Sequence, residues 1–177
     1  MTSSRRVVFL DRDGVVTVPD EHEGKGYAIR SLDRLRLYPD AASAIGRLQA
    51  AGYEVVLVTN QPDVANGLID PDTLEAINNR VADVTGVTRI RTCPHSRSDA
   101  CRCRKPLPGL LLDEARLEPV DFAASWMVGD RDSDIDAGLA VGCRTLFLDR
   151  GWRAETGQRA EYRASTLSEA VGTILAT

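Results

Sequence analysis

Two kinds of apolar pattern alternate along this chain. The first is the short apolar run: Val7-Val8-Phe9-Leu10, then residues 54–58, 125–128 and 145–148, each of these three led by one polar residue. Such runs, rich in β-branched side chains, read as strands buried on both faces. Residues 89–92 give a further, weaker strand. The second pattern has helical spacing. Pro39 opens a helix whose inner face is Ala41, Ile45 and Leu48 and which Gly52 ends. Asp70-Pro71 opens the next, with Leu74, Ile77, Val81 and Val84 as its stripe. Leu110, Leu111 and Ala115 mark a third, and residues 133–141, with Ile135 and Leu139 inward and Gly142 as stop, a fourth. Thr166-x-x-Glu169 is a capping box before Leu167, Val171, Ile174 and Leu175. Strands alternating with helices predict a parallel sheet covered on both sides, a Rossmann-like three-layer α/β sandwich. Residues 15–38 show no period and read as a long loop with room for a short hairpin.

The ends of the predicted strands are polar. Asp11-Arg12-Asp13-Gly14 follows the first, Thr59-Asn60-Gln61 the second, Cys93-Pro94-His95 the third and Gly129-Asp130 the fourth. In an open α/β sheet ligands bind beyond the carboxyl ends of the strands, so these groups should share one edge. Asp11 and Asp13 repel at such close range and need a cation or a shared proton. A hard, oxygen-loving ion such as Mg²⁺ suits them.

At 177 residues the chain is expected to form a single domain, 1–177, with its own core. A net charge of −4, with no stripe of mixed aromatic and basic residues, argues against a nucleic-acid partner. No apolar run reaches membrane-spanning length, and the polar start is not a signal peptide, so a cytoplasmic monomer with no membrane partner is expected. Four cysteines in a reducing compartment are not a disulfide framework. Cys93, His95, Cys101 and Cys103 instead present three thiols and an imidazole at a spacing that suits tetrahedral Zn²⁺. With all four positions filled by protein, that ion would be structural. The plain alternative is a loop of unmetallated cysteines. Cys143 stands apart and belongs to the core.

The ordered set Asp11-x-Asp13-Gly14, Thr59-Asn60, Lys105 and Gly129-Asp130-x-x-x-Asp134 resembles the haloacid-dehalogenase-like phosphatases. Phe9-Leu10-Asp11-Arg12-Asp13-Gly14, Cys93-Pro94-His95 and Cys101-x-Cys103-Arg104-Lys105-Pro106 are similar to the zinc-loop branch, which acts on a heptose 1,7-bisphosphate and has histidinol-phosphate phosphatases as near relatives. The resemblance implies a Mg²⁺-dependent phosphomonoesterase acting on a small phosphorylated sugar. Asp11 would be the nucleophile and Asp13 the general acid and then base, one protonated while the other is ionised. Mg²⁺ would bind the Asp11 and Asp130 carboxylates and the Asp13 backbone carbonyl. Thr59, Asn60 and Gln61 would contact the phosphoryl group, Lys105 would place a charge there, and Arg104 would meet a second anionic group. Asp134 either holds a metal-bound water, orients Lys105, or is simply a first-turn acid. Arg131 stands where Lys is usual, Pro62 where a small hydroxyl residue is usual and Asn66 where Arg is usual, and the loop before Gly26-Tyr27 is longer. The spacings leave no room for a cap domain, so the first long loop and the zinc loop must cover the site. His22, beside Glu21 and Glu23, reads as solvated; Lys25, Tyr27 and Arg30 are either solvated or face the substrate. A receiver-type phospho-acceptor is disfavoured because its acceptor Asp should follow the third strand, where Cys93-Pro94-His95 stands.

Overall fold

Continuous apolar runs do form the middle layer. The computed structural model describes residues 4–177, so the first three residues of the polar start lie outside it. The strands are β1 (Val7–Leu10), β2 (Asp20–His22), β3 (Lys25–Tyr27), β4 (Glu54–Asn60), β5 (Arg89–Cys93), β6 (Trp126–Gly129), β7 (Arg144–Leu148) and β8 (Tyr162–Ala164). The helices are α1 (Ala41–Ala50), α2 (Pro71–Thr85), α3 (Gly109–Leu117), α4 (Asp132–Val141) and α5 (Leu167–Ala176). Six strands pair in parallel in the order β5-β4-β1-β6-β7-β8.

Alternation along β1 sends side chains to two cores. Val8 and Leu10 pack with α1 and α5 through Ala44, Ile45, Leu48, Val171 and Ile174. Val7 and Phe9 pack with Met127 and with Leu110 and Leu111 of α3. Every β1 side chain is fully buried, which is why the run lacks polar positions. Cys143 lies in the second core, as expected of a small apolar residue.

Several boundaries differ from the sequence reading. Pro39 and Asp40 form a turn before α1, and the Asp40 carboxylate accepts from Ser168 N at the start of α5 (2.9 Å). Val84 and Leu175, expected on inner faces, are exposed. Thr85 is buried instead, its hydroxyl satisfied by Val81 O. Leu139 is half-buried, because Gly138 takes the tightest point: a Cβ there would lie 2.5 Å from Cβ of Met127. The expected box at α5 is opened out. Thr166 accepts from Glu169 N, but the Glu169 carboxylate reaches Ser165 N. Strand β8 was not expected; three residues with one buried side chain carry no legible period.

The long loop contains an antiparallel hairpin, β2–β3. Its turn residues Glu23 and Gly24 both have positive φ, the turn that best matches strand twist. His22 is exposed on it. Between Asp13 and Thr59 there is otherwise only a 3₁₀ turn and α1, so no cap is inserted there. Among the described residues no helix is long and apolar enough to cross a membrane.

Candidate active site

The strand order reverses direction on either side of β1, and the carboxyl ends of β1, β4 and β6 open there onto a cavity of about 790 Å³. Asp11, Asp13, Thr59, Asn60, Arg104, Lys105, Arg131 and Asp134 all line it; Gln61 and Asp130 lie just behind. Lys25, Gly26 and Tyr27 of the hairpin form another wall.

Asp11, Asp130 and Asp134 are buried, with carboxylate oxygens within 4.8 Å of one another. Gly14 makes this possible. Its φ is +96°, and a Cβ there would fall 1.9 Å from Asp130 Oδ2. Among the described residues one cation is in direct contact with the group. Lys105 Nζ donates to Asp11 Oδ1 (2.9 Å) and to Val58 O (2.6 Å), and lies 2.7 Å from Asp134 Oδ1. Burial pushes the Asp11 carboxyl up to about 6; Lys105 opposes that and Asp134 adds to it. Burial, Asp11 and Asp134 together drive Asp130 well above the carboxylate range. The mutual field of Asp11 and Asp134 raises Lys105 despite its burial. Among the described residues Asp130 Oδ1 has no hydrogen-bond partner. Three buried carboxylates, one lysine and a bare carboxylate oxygen fit a divalent, oxygen-seeking ion.

Asp13 behaves in the opposite way. Burial alone would raise its pKa, but Arg12 overrides it with a two-pronged contact, Nε to Oδ1 (3.1 Å) and Nη2 to Oδ2 (2.9 Å). Thr17 Oγ1 and Gln61 Nε2 add bonds of 2.7 Å each. The carboxyl is held below its ordinary value. Asp13 therefore holds a proton less readily than Asp11 does. The cause is Arg12, a fully buried residue that the sequence reading passed over. Its Nη1 is held by Asn78 Oδ1 of α2 (2.7 Å).

Two further expectations change. Gln61 is turned away from the cavity and bridges Asp13 and Thr59 Oγ1 (2.8 Å). Asn60 clamps the backbone of Lys105 in both directions: Nδ2 donates to Lys105 O (3.0 Å) and Oδ1 accepts from Lys105 N (3.1 Å). It positions the lysine, with one amide hydrogen left over. Thr59 Oγ1 accepts from Gln61 and keeps its proton to donate. Asp134 both pairs with Lys105 and caps α4, accepting from Arg131 N (3.1 Å). The Arg131 guanidinium donates to Gly26 O and lies 3.6 Å from Glu155.

Cys93, at the end of β5, meets His95, Cys101 and Cys103 from the loop beyond it. The pairs Cys93–Cys103, Cys101–Cys103 and Cys93–Cys101 stand at 3.2, 3.5 and 3.6 Å, and His95 Nδ1 lies 3.2 Å from Cys103 and 3.6 Å from Cys93. None is a disulfide. A tetrahedral zinc with Zn–S of about 2.3 Å places its ligands about 3.8 Å apart, close to these separations. Arg104, next along the chain, donates to His95 O (3.3 Å).

A haloacid dehalogenase-like hydrolase family model matches residues 25–142, and the chain belongs to that family. Its relatives are named as phosphatases. The D-glycero-β-D-manno-heptose-1,7-bisphosphate 7-phosphatase of Pseudomonas aeruginosa is 36% identical over 153 residues, covering 84% of this chain and 83% of that one. The enzyme of the same name from Bordetella bronchiseptica is 39% identical over 151 residues, covering 82% of each. A crystal structure of the D,D-heptose 1,7-bisphosphate phosphatase from B. bronchiseptica, complexed with magnesium and phosphate, superposes with a TM-score of 0.82 at 35% identity, over 97% of this chain and 98% of that one.

Proposed function

We propose that this chain is a Mg²⁺-dependent phosphatase that removes the 7-phosphate of D-glycero-β-D-manno-heptose 1,7-bisphosphate. The observation that carries the reading is the trio Asp11, Asp130 and Asp134 around a single lysine at the switch point of the sheet. The names of the relatives supply the substrate. Asp11, Asp130 and the Asp13 carbonyl would hold Mg²⁺, which when bound supplies positive charge to the phosphoryl oxygens.

Asp11 attacks phosphorus as the bond to the sugar oxygen breaks, and Lys105 and the Thr59 hydroxyl face the transferring group. Asp13 gives its proton to the leaving sugar oxygen. The resulting carboxylate then takes a proton from water, whose oxygen attacks the phosphorus and frees Asp11 and inorganic phosphate. Arg12, Thr17 and Gln61 favour the ionised form of Asp13, so the acid role requires substrate to shift that balance. A phosphate dianion beside it raises its pKa by like-charge repulsion. Arg104 suits the distal phosphate. Cys93, His95, Cys101 and Cys103 are proposed to hold a structural zinc that fixes the loop carrying Arg104 and Lys105.

The test is phosphate release across both anomers of the heptose bisphosphate, histidinol phosphate, other sugar phosphates and a 3′-phosphorylated oligonucleotide. Preferred turnover of the β-anomer is expected, abolished by a magnesium-selective chelator that leaves zinc in place. Faster turnover of histidinol phosphate would refute the substrate, and undiminished turnover in chelator would refute the metal.

A further inference from the structure

Trp152 stands between two parts of the site. Its indole N–H donates to Asp130 Oδ2, while Oδ1 of the same carboxylate is buried and bare. One oxygen is thus fixed and the other left for an ion. The far edge of the indole lies against the hairpin. A Cβ on Gly26 would come 3.1 Å from Trp152 Cζ2 and 3.0 Å from Pro19 Cγ. The flanking chain reinforces the contact. Arg153 N donates to Gly24 O (3.2 Å), and Arg131 donates to Gly26 O from the other side. A two-stranded ribbon is marginal alone, so these tethers set where Lys25, Gly26 and Tyr27 stand as a cavity wall.

We propose that Trp152 is a positioning residue that couples the hairpin β2–β3 to the divalent-cation site. By holding Asp130 Oδ2 it leaves Oδ1 as the oxygen that would ligate the ion, and by packing on Gly26 it ties the carboxylate to the placement of the hairpin. The proposal rests on reading Asp11, Asp130 and Asp134 as the Mg²⁺ site. A carboxylate with one oxygen already held loses less freedom when it ligates, and partners of this kind typically change metal affinity by about 10- to 100-fold. The coupling is reciprocal: whatever displaces the hairpin from Trp152 also weakens the ion.

The chain has two tryptophans. Trp126 is buried in the first core under Arg144, and gives a reference signal. The experiment is Mg²⁺ titration of the zinc-loaded protein without substrate, followed by calorimetry and by the indole N–H resonances in ¹⁵N-correlated NMR. In wild type the Trp152 resonance should move with saturation while that of Trp126 stays. Trp152→Phe should bind Mg²⁺ at least about tenfold more weakly. Gly26→Ala, which crowds the indole without touching a carboxylate, should weaken it in the same direction. Unchanged affinity in Trp152→Phe overturns the proposal while leaving the cation site standing. So does a Trp152 resonance that is still at saturation, which decides the matter even if the variant fails to fold. A wild type that binds no Mg²⁺ overturns the proposal and the cation site together.

Discussion

Two clusters of buried charge sit at opposite ends of the sheet, and they are built to opposite rules. At the amino ends of the strands, Glu114 of α3 is wholly enclosed and meets three arginines: Arg5 (3.2 Å), Arg89, and Arg91 (2.7 Å). Glu54 and Glu118 complete the group, so three cations face three anions. At the carboxyl ends, Arg12 pairs off with Asp13, and Lys105 pairs with Asp11 and Asp134, while Asp130 feels Arg131 only at a distance. With all three of these carboxylates ionised, they exceed their one paired cation by two charges, the charge of one Mg²⁺. Glu114 and Asp130 are both almost wholly enclosed, but the consequence differs. Burial would raise Glu114, yet the bonds from Arg89 and Arg91 bring it below its ordinary value, whereas Asp130 is driven far above its own. Burial sets the size of the penalty, and the neighbours decide whether it is met inside the protein or by a ligand.

The largest effect expected of any single change is at the unbalanced end. Asp11→Asn keeps shape but removes the attacking oxygen, and kcat should fall by at least about 10³. Asp13→Asn should accumulate phosphoenzyme on Asp11 with an aryl phosphate, seen as a mass gain. Near-normal turnover by Asp11→Asn, or a label elsewhere, would break the assignment.

Next comes the balanced end. Glu114→Gln leaves three arginines facing two carboxylates and takes from Arg91 its ion-pair partner; it should cost about 3 kcal/mol of stability while leaving kcat of the folded enzyme close to wild type. The sign with pH is fixed. Glu114 has a folded pKa below its ordinary 4.5, so its contribution is present above that value and is lost as pH falls through the lower folded pKa. Urea unfolding of wild type and Glu114→Gln should differ most near neutrality and converge in acid. A gap that persists at low pH would show that shape, not charge, makes the cluster.

Cys101→Ser removes one of the four proposed zinc ligands from the loop that carries Lys105. Metal analysis should show about one zinc in the wild type and less in the variant. A loss of about 2 kcal/mol would lower Tm by about 4 to 8 °C. Wild-type protein without zinc, purified without chelator, would contradict the proposed site.

The smallest effect separates the two ends most cleanly. Asp130→Asn, in the absence of Mg²⁺, removes an uncompensated charge and should raise stability by about 1 kcal/mol, or about 2 to 4 °C. In Mg²⁺ the order should reverse, because only the wild type gains from the ion. A metal-free variant less stable than wild type would mean that the unbalanced end is not under charge strain.

The parallel sheet, its two covered faces, the absence of an inserted cap and the edge on which the chemistry gathers were all legible in the sequence. Each follows from local pattern: a strand buried on both sides must be apolar throughout, and the polar residues just after it must lie at its carboxyl end. The clustering of Cys93, His95, Cys101 and Cys103 was legible for the same reason, since all fall within eleven positions of the chain. Side-chain partnership was not. Arg12 stands beside Asp13 in the sequence, yet only the turn at Gly14 and the arrival of Asn78 from α2 set its guanidinium against the carboxylate. Gln61 follows Thr59-Asn60 but faces Asp13, and Asn60 spends its amide on a lysine 45 residues away. Trp152 lies in no periodic stretch, and Glu114, although spaced three and four residues after Leu111 and Leu110, is a carboxylate that an apolar pattern does not pick out. Periodicity records how much water each residue loses on folding, and the chain alone carries that. Which charge is met, and by what, depends on segments brought together from far along the chain, and that only the tertiary structure decides.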